Sequence, residues 1–132
     1  MRTILLAASG LLAVVACAPS TLVRVGEIES EGIRFVTYAD RATIKKTLNT
    51  VRMSSVIDPE GPDDRRLFSW TDEWDYQCQD NLLQPQRYTQ YSGRMGTGDR
   101  MYSHTVQSLS GPLPVVPGSV GEKLWQIACR NE

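Results

Sequence analysis

The chain has 132 residues, with 14 basic and 15 acidic side chains, one histidine and a net charge of −1 at neutral pH. That length supports one domain with one modest core, and so even a charge balance gives no general pull toward nucleic acid or anionic lipid. The single histidine excludes a multi-histidine metal site.

The first element is a targeting segment. Arg2 supplies a positive start, and Ile4 to Ala16 is apolar apart from Ser9 and Gly10. This run falls short of the roughly 20 residues that a spanning helix needs, which makes residues 1–16 a secretory signal. It ends in Val14-Val15-Ala16-Cys17, which resembles a lipobox, the cleavage signature of a bacterial lipoprotein. Cys17 is then the lipidated first residue of the mature chain, residues 17–21 form a tether, and residues 22–132 form the folded domain. The alternative cut, after Ala16-Cys17-Ala18, would put Pro19 directly behind the scissile bond, where its fixed φ and missing N–H suit a protease poorly. Cleavage ahead of Cys17 removes Arg2 and leaves 13 basic against 15 acidic residues. No later apolar run is long enough to span a membrane, so acyl chains are the expected anchor to the bilayer. Two or more of them hold a protein stably, at about 0.8 kcal/mol per buried methylene.

β-Branched residues favour strands over 22–28 and 33–39, with Glu31-Gly32 turning between them. The charged stretch 41–46 is expected to be a turn or a single helical turn. Over 47–57, Val51, Met53 and Ile57 point one way and Arg52, Ser54 and Val56 the other. Residues 58–64 concentrate proline, glycine and acid, which predicts a solvated loop. They lack the spacing of a calcium loop. Residues 67–78 alternate with period two: Trp70, Trp74, Tyr76 and Cys78 share the core side, and Asp72 breaks the pattern. Residues 82–91 form a strand that Pro85 marks as edge or bulge. The Gly-rich run 92–99 is a turn without phosphate-loop spacing, and 100–106 returns as a strand. Three prolines keep 110–118 irregular. Ser119 and Glu122 form a capping box at the start of an amphipathic helix. Its apolar arc holds Val120, Leu124, Trp125, Ile127 and Ala128, with Cys129 at the edge.

If Cys17 carries lipid, Cys78 and Cys129 remain as one pair in an oxidising compartment. A disulfide is the default there, and two buried thiols are the alternative. A helix laid on the sheet with these cysteines bonded satisfies both patterns. The fold class is therefore α+β: an antiparallel sheet of about six strands packed against one C-terminal helix. Trp70, Trp74, Leu124 and Trp125 are expected to fill its interior.

Catalytic chemistry finds little support. His104 stands at a polar strand end, where solvent exposure is expected, and no nucleophile motif lies near it. Glu73 and Asp75 share the wet face of a strand, as solvated carboxylates do. Neither an enzymatic activity nor a cofactor is expected. On 88–91, Tyr88 and Tyr91 fall on opposite faces, so one tyrosine faces outward near Arg87 and Arg94. Such a tyrosine suits a binding surface, and cross-strand packing also accounts for it.

Tyr76-Gln77-Cys78, Tyr91-Ser92-Gly93 with Met95-Gly96-Thr97-Gly98, Val116 to Glu122 and the closing Ala128-Cys129 together resemble the surface-adhesin protein E family of bacterial lipoproteins. Tyr38-Ala39-Asp40 matches more loosely. The resemblance implies a sheet of about six antiparallel strands crossed by a C-terminal helix with a disulfide between them. It further implies an outer-membrane lipoprotein, an adhesin role toward host extracellular proteins, and dimers as an accessible state. No binding residue is carried over, because the family's host-binding segment is not placed on residues of this sequence, and the ligand-binding residues stay unknown. Two functions follow as expectations: a binding module for host or environmental proteins, or a periplasm-facing accessory lipoprotein of the envelope.

Overall fold

The structure, a computed structural model, describes residues 21–60, 68–106 and 111–131. The expected signal peptide and Cys17 lie outside these residues. The strands are β1 (Leu22–Ser30), β2 (Ile33–Thr47), β3 (Thr50–Glu60), β4 (Ser69–Gln77), β5 (Leu82–Tyr91), β6 (Arg100–Thr105) and β7 (Leu113–Pro114), followed by the helix α1 (Val120–Arg130). β1 to β6 form one antiparallel meander in chain order, and β7 pairs with β5 beside Leu82 and Leu83. Glu31 and Gly32, both at positive φ (52° and 77°), make the tight β1–β2 turn whose twist suits a hairpin.

Three segments differ from the sequence expectation, each for a local reason. Residues 41–46 are not a turn, since β2 continues through them to Thr47. The register shifts between Asp40 and Lys45, and side chains close the irregularity. The Asp40 carboxylate accepts from the Ala42 N–H at 3.1 Å and from Thr21 Oγ1 at 3.0 Å, while Thr43 Oγ1 accepts from the Ser54 N–H at 2.8 Å. Residues 58–60 are not loop either. Asp58, Pro59 and Glu60 finish β3, and Asp58 is buried because Arg94 pairs with it. Residues 61–64 of that expected loop lie outside the described residues. Within 110–118, Leu113 and Pro114 pair with β5 as a two-residue strand, a short edge position that tolerates proline. Pro85 sits at a bulge as expected, where the β4–β5 register shifts between Glu73 and Trp74.

α1 begins as the capping box requires: Ser119 Oγ accepts from the Glu122 N–H at 3.1 Å. Its apolar arc packs onto Val25, Ala39, Val51, Met53, Tyr76 and Leu83. Approach is closest at Gly26, where an added Cβ would stand 2.6 Å from Val120 Cγ2, so only glycine fits there. The interior holds Leu124 and Trp125 as expected, with Trp74 packed against it. Trp70 is a correction. It lies beyond the helix and packs on Phe35, with ring centroids 5.9 Å apart.

Cys78 and Cys129 are bonded, joining the end of β4 to the last turn of α1 across 51 residues of sequence. Closing a loop of that length removes denatured-state freedom equivalent to about 4 kcal/mol. Replacing both cysteines with serine is expected to lower the unfolding free energy by about that amount, measured by urea denaturation against the parent.

Candidate binding face

Strand alternation places Met53, Ser55 and Ile57 of β3 on the same side of the sheet as α1. Their β4 partners Trp74, Asp72 and Trp70 share that side, as do Tyr88 of β5 and His104 of β6. α1 contacts β1 to β4 and covers only one end of this face. The other end is left open and is aromatic. Tyr88 packs against His104 at 5.3 Å and Tyr102 at 6.2 Å, and Tyr102 and His104 are stacked with 6° between their planes. Tyr88 is nonetheless 39% exposed and Tyr102 51%. Cross-strand packing and exposure, offered by the sequence as alternatives for Tyr88, therefore hold together. His104 is exposed, as its polar surroundings suggested. Arg94 is not beside Tyr88, because it is engaged on the opposite side of the sheet.

On that opposite side the Gly-rich turn 92–99 is latched down. Arg94 donates Nη2 to Asp58 at 2.7 Å and Nε to both carboxylate oxygens at 3.1 Å, while the Met95 N–H adds a bond of 2.7 Å. Buried Ser69 donates to the Gly93 carbonyl at 2.6 Å and accepts from the Gly96 N–H at 2.8 Å. Gly96 needs its positive φ of 71° for this approach, and an added Cβ would crowd Thr71 at 3.0 Å. The glycines serve turn geometry, in keeping with the absence of phosphate-loop spacing.

Two acidic residues that alternation and composition alone did not identify as sites, buried Asp58 and half-buried Asp72, are held in contrasting ways. Asp58 has a bidentate guanidinium and a backbone N–H. Asp72, on the helix side, accepts from Ser55 Oγ, and no ion pair among the described residues involves it. Burial pushes its carboxyl above the ordinary range, and hydrogen bonding offsets only part of the shift. Beside it Tyr76 is 1% exposed, and its hydroxyl has no hydrogen-bond partner. Burial raises the Tyr76 phenol first, and the Asp72 charge raises it further. The one sequence signal for this pair was the break in β4 alternation at Asp72.

Among the described residues, no group of three or more His, Cys, Asp or Glu side chains is placed to hold a metal ion, and no helix is long and apolar enough to cross a membrane.

The folded protein binds the Asp72 proton more tightly than the unfolded chain does, so this group's contribution to stability falls as pH rises through its titration. Asp72→Asn, which removes the half-buried charge, is expected to be more stable than the parent at neutral pH. That gain should close as pH falls below the carboxylate range, followed by urea unfolding at both pH values.

Searched against known proteins, residues 23–130 match the surface-adhesin protein E family. No curated protein matches. Crystal structures of Haemophilus influenzae protein E share the fold. One crystal form aligns at 23% identity and TM-score 0.57, covering 89% of this chain and 97% of that one. A second structure aligns at 22% identity and TM-score 0.58, covering 87% and 92%. Protein E from a non-typeable strain aligns at 23% identity and TM-score 0.53, covering 89% and 84%. The family match runs from β1 to the last residue of α1, Arg130, and the chain belongs to the surface-adhesin protein E family.

Proposed function

We propose that this protein is a lipid-anchored outer-membrane module that recognises host or environmental proteins through the open aromatic end of its sheet. The observation that carries this reading is the incomplete cover of the sheet face. A helix of 11 residues spends its apolar side on one end, leaving Tyr88, Tyr102 and His104 in solvent beside the Phe35–Trp70 pair. Clustered exposed aromatics are costly to leave unused in a monomer and are the residue types that dominate protein interfaces. An open sheet surface offers an extended contact area and little enclosure, which suits binding and not turnover. Membership of an adhesin family supports the same reading. The anchor rests on Val14-Val15-Ala16-Cys17, with the Cys17 thiol taking the lipid.

Protease shaving of whole cells tests the surface role. Loss of the protein from intact cells is the expected result, and full protection would favour the periplasm-facing accessory role. Cys17→Ser is expected to yield an unprocessed or soluble form, read by fractionation and mass spectrometry, and normal membrane retention would refute the anchor. Once a protein ligand is in hand, Tyr102→Ala is expected to weaken binding about tenfold, or ~1.4 kcal/mol. Leu48→Ser, at the fully exposed tip of the β2–β3 turn, should leave binding unchanged.

A further inference from the structure

Two hollows adjoin at Trp74, on the border between the helix-covered and open ends of the sheet. The first, of 240 Å³, is walled by Ile57, Trp74, Leu83, Val120 and Leu124 and reaches both Asp72 and Tyr76. The second, of 210 Å³, lies toward Trp70 and Tyr88, shares Ile57, Asp72 and Trp74 with it, and is also lined by Arg87. A pocket for a drug-sized molecule begins at about 300 Å³, so each hollow is the size of one side chain.

The first hollow presents acceptors and no cationic side chain among the described residues. Asp72 is a half-buried carboxylate in no ion pair among the described residues, and Arg87, which lines the second hollow, is not paired with it. Tyr76 lines the same hollow as Asp72, the first, and its buried hydroxyl is unpartnered. Both can accept a hydrogen bond, and around them stand apolar carbon and an indole ring. A buried carboxylate is most stable when a cation shares its low-dielectric surroundings, and an indole face attracts cations through its quadrupole.

We propose that this hollow receives the side chain of a lysine presented by a protein partner. Its methylene stem lies along Trp74, Leu124 and Ile57, and its ammonium donates to the Asp72 carboxylate and the Tyr76 hydroxyl oxygen. Lysine fits better than arginine. Ser55 already occupies one oxygen of the Asp72 carboxylate, which leaves a place for a compact point charge and not for a planar two-pronged fork. The proposal rests on the reading of this protein as a protein-binding module and names the chemistry its partner presents.

The test uses the purified full chain and no partner protein, so its outcome is independent of cell-surface shaving. The Trp74 indole N–H resonance is followed while Nα-acetyl-lysine methylamide is added, then Nα-acetyl-norleucine methylamide, which keeps an apolar stem and lacks the ammonium. A saturable shift in the millimolar range is expected with the lysine compound, with the norleucine compound at least about tenfold weaker. Asp72→Asn should bring the two ligands within about twofold of each other. Tyr76→Phe removes only an unpartnered oxygen and keeps the core shape, so it serves as the second variant if Asp72→Asn does not fold. It is expected to cut the lysine preference about threefold or more. Equal binding of the two ligands by the parent, no binding of either at about 50 mM, or an undiminished lysine preference in Tyr76→Phe would overturn the proposal.

Discussion

The covalent bond between Cys78 and Cys129 fixes where the helix can lie, and most of the surface chemistry follows from that position. One cysteine ends β4 and the other sits in the last turn of α1, so the helix is held at one end of a sheet longer than itself. Gly26 sets the contact at its first turn by letting Val120 approach β1. Between these two points the apolar arc meets Val51, Met53 and Tyr76 and forms the core. Beyond α1, β2, β4, β5 and β6 carry the aromatic residues Phe35, Trp70, Tyr88 and Tyr102 with no helix above them among the described residues. Core and open face are thus two ends of one surface, divided by the reach of a short helix.

The sheet treats the buried Asp58 and the half-buried Asp72 differently, and the contrast separates structural from available charge. Asp58 spends its lone pairs on Arg94 and the Met95 N–H, fastening the 92–99 turn against the side away from α1. A nearly buried carboxylate paired in this way is satisfied, and removing either partner would strand the other. Asp72 accepts from Ser55 and has no ion-pair partner among the described residues. The first arrangement gives rigidity. The second leaves electrostatic energy unspent at the edge of the open face.

Much of this architecture was legible in the sequence where one physical signal dominated. The capping box at Ser119 and Glu122, the period-two pattern of β4 and the cysteine pair each pointed to a feature that the structure contains. The family resemblance, quoted from the spacing of Tyr76-Gln77-Cys78 and the Gly-rich and Val116-to-Glu122 blocks, pointed to the same fold. Reading failed where long-range partners overrode local composition. Asp58 looked solvated because Arg94, 36 residues away, is invisible to a local window. Residues 41–46 looked like a turn because their charges conceal a strand held through Asp40 and Thr43. Trp70 was assigned to the core because alternation gives the face of a strand and not how far along it a helix extends. For the same reason the open aromatic end could not be located from sequence alone.

The entry of the chain into the sheet has a mechanical consequence. Thr21 leads into β1, an outer strand of the meander, whereas Tyr102 and His104 stand on β6, five strand spacings away, or roughly 24 Å. A pull between the chain's N-terminal side and a body gripped at β6 therefore runs across the strands, and it loads β1 first at the hydrogen bonds between Thr21, Asp40 and Arg41. Peeling from that corner can lengthen the chain only as far as Cys78. Residues 78–129 form a closed covalent ring that contains Tyr88, Tyr102 and His104, so the grip stays within a segment that tension cannot draw out.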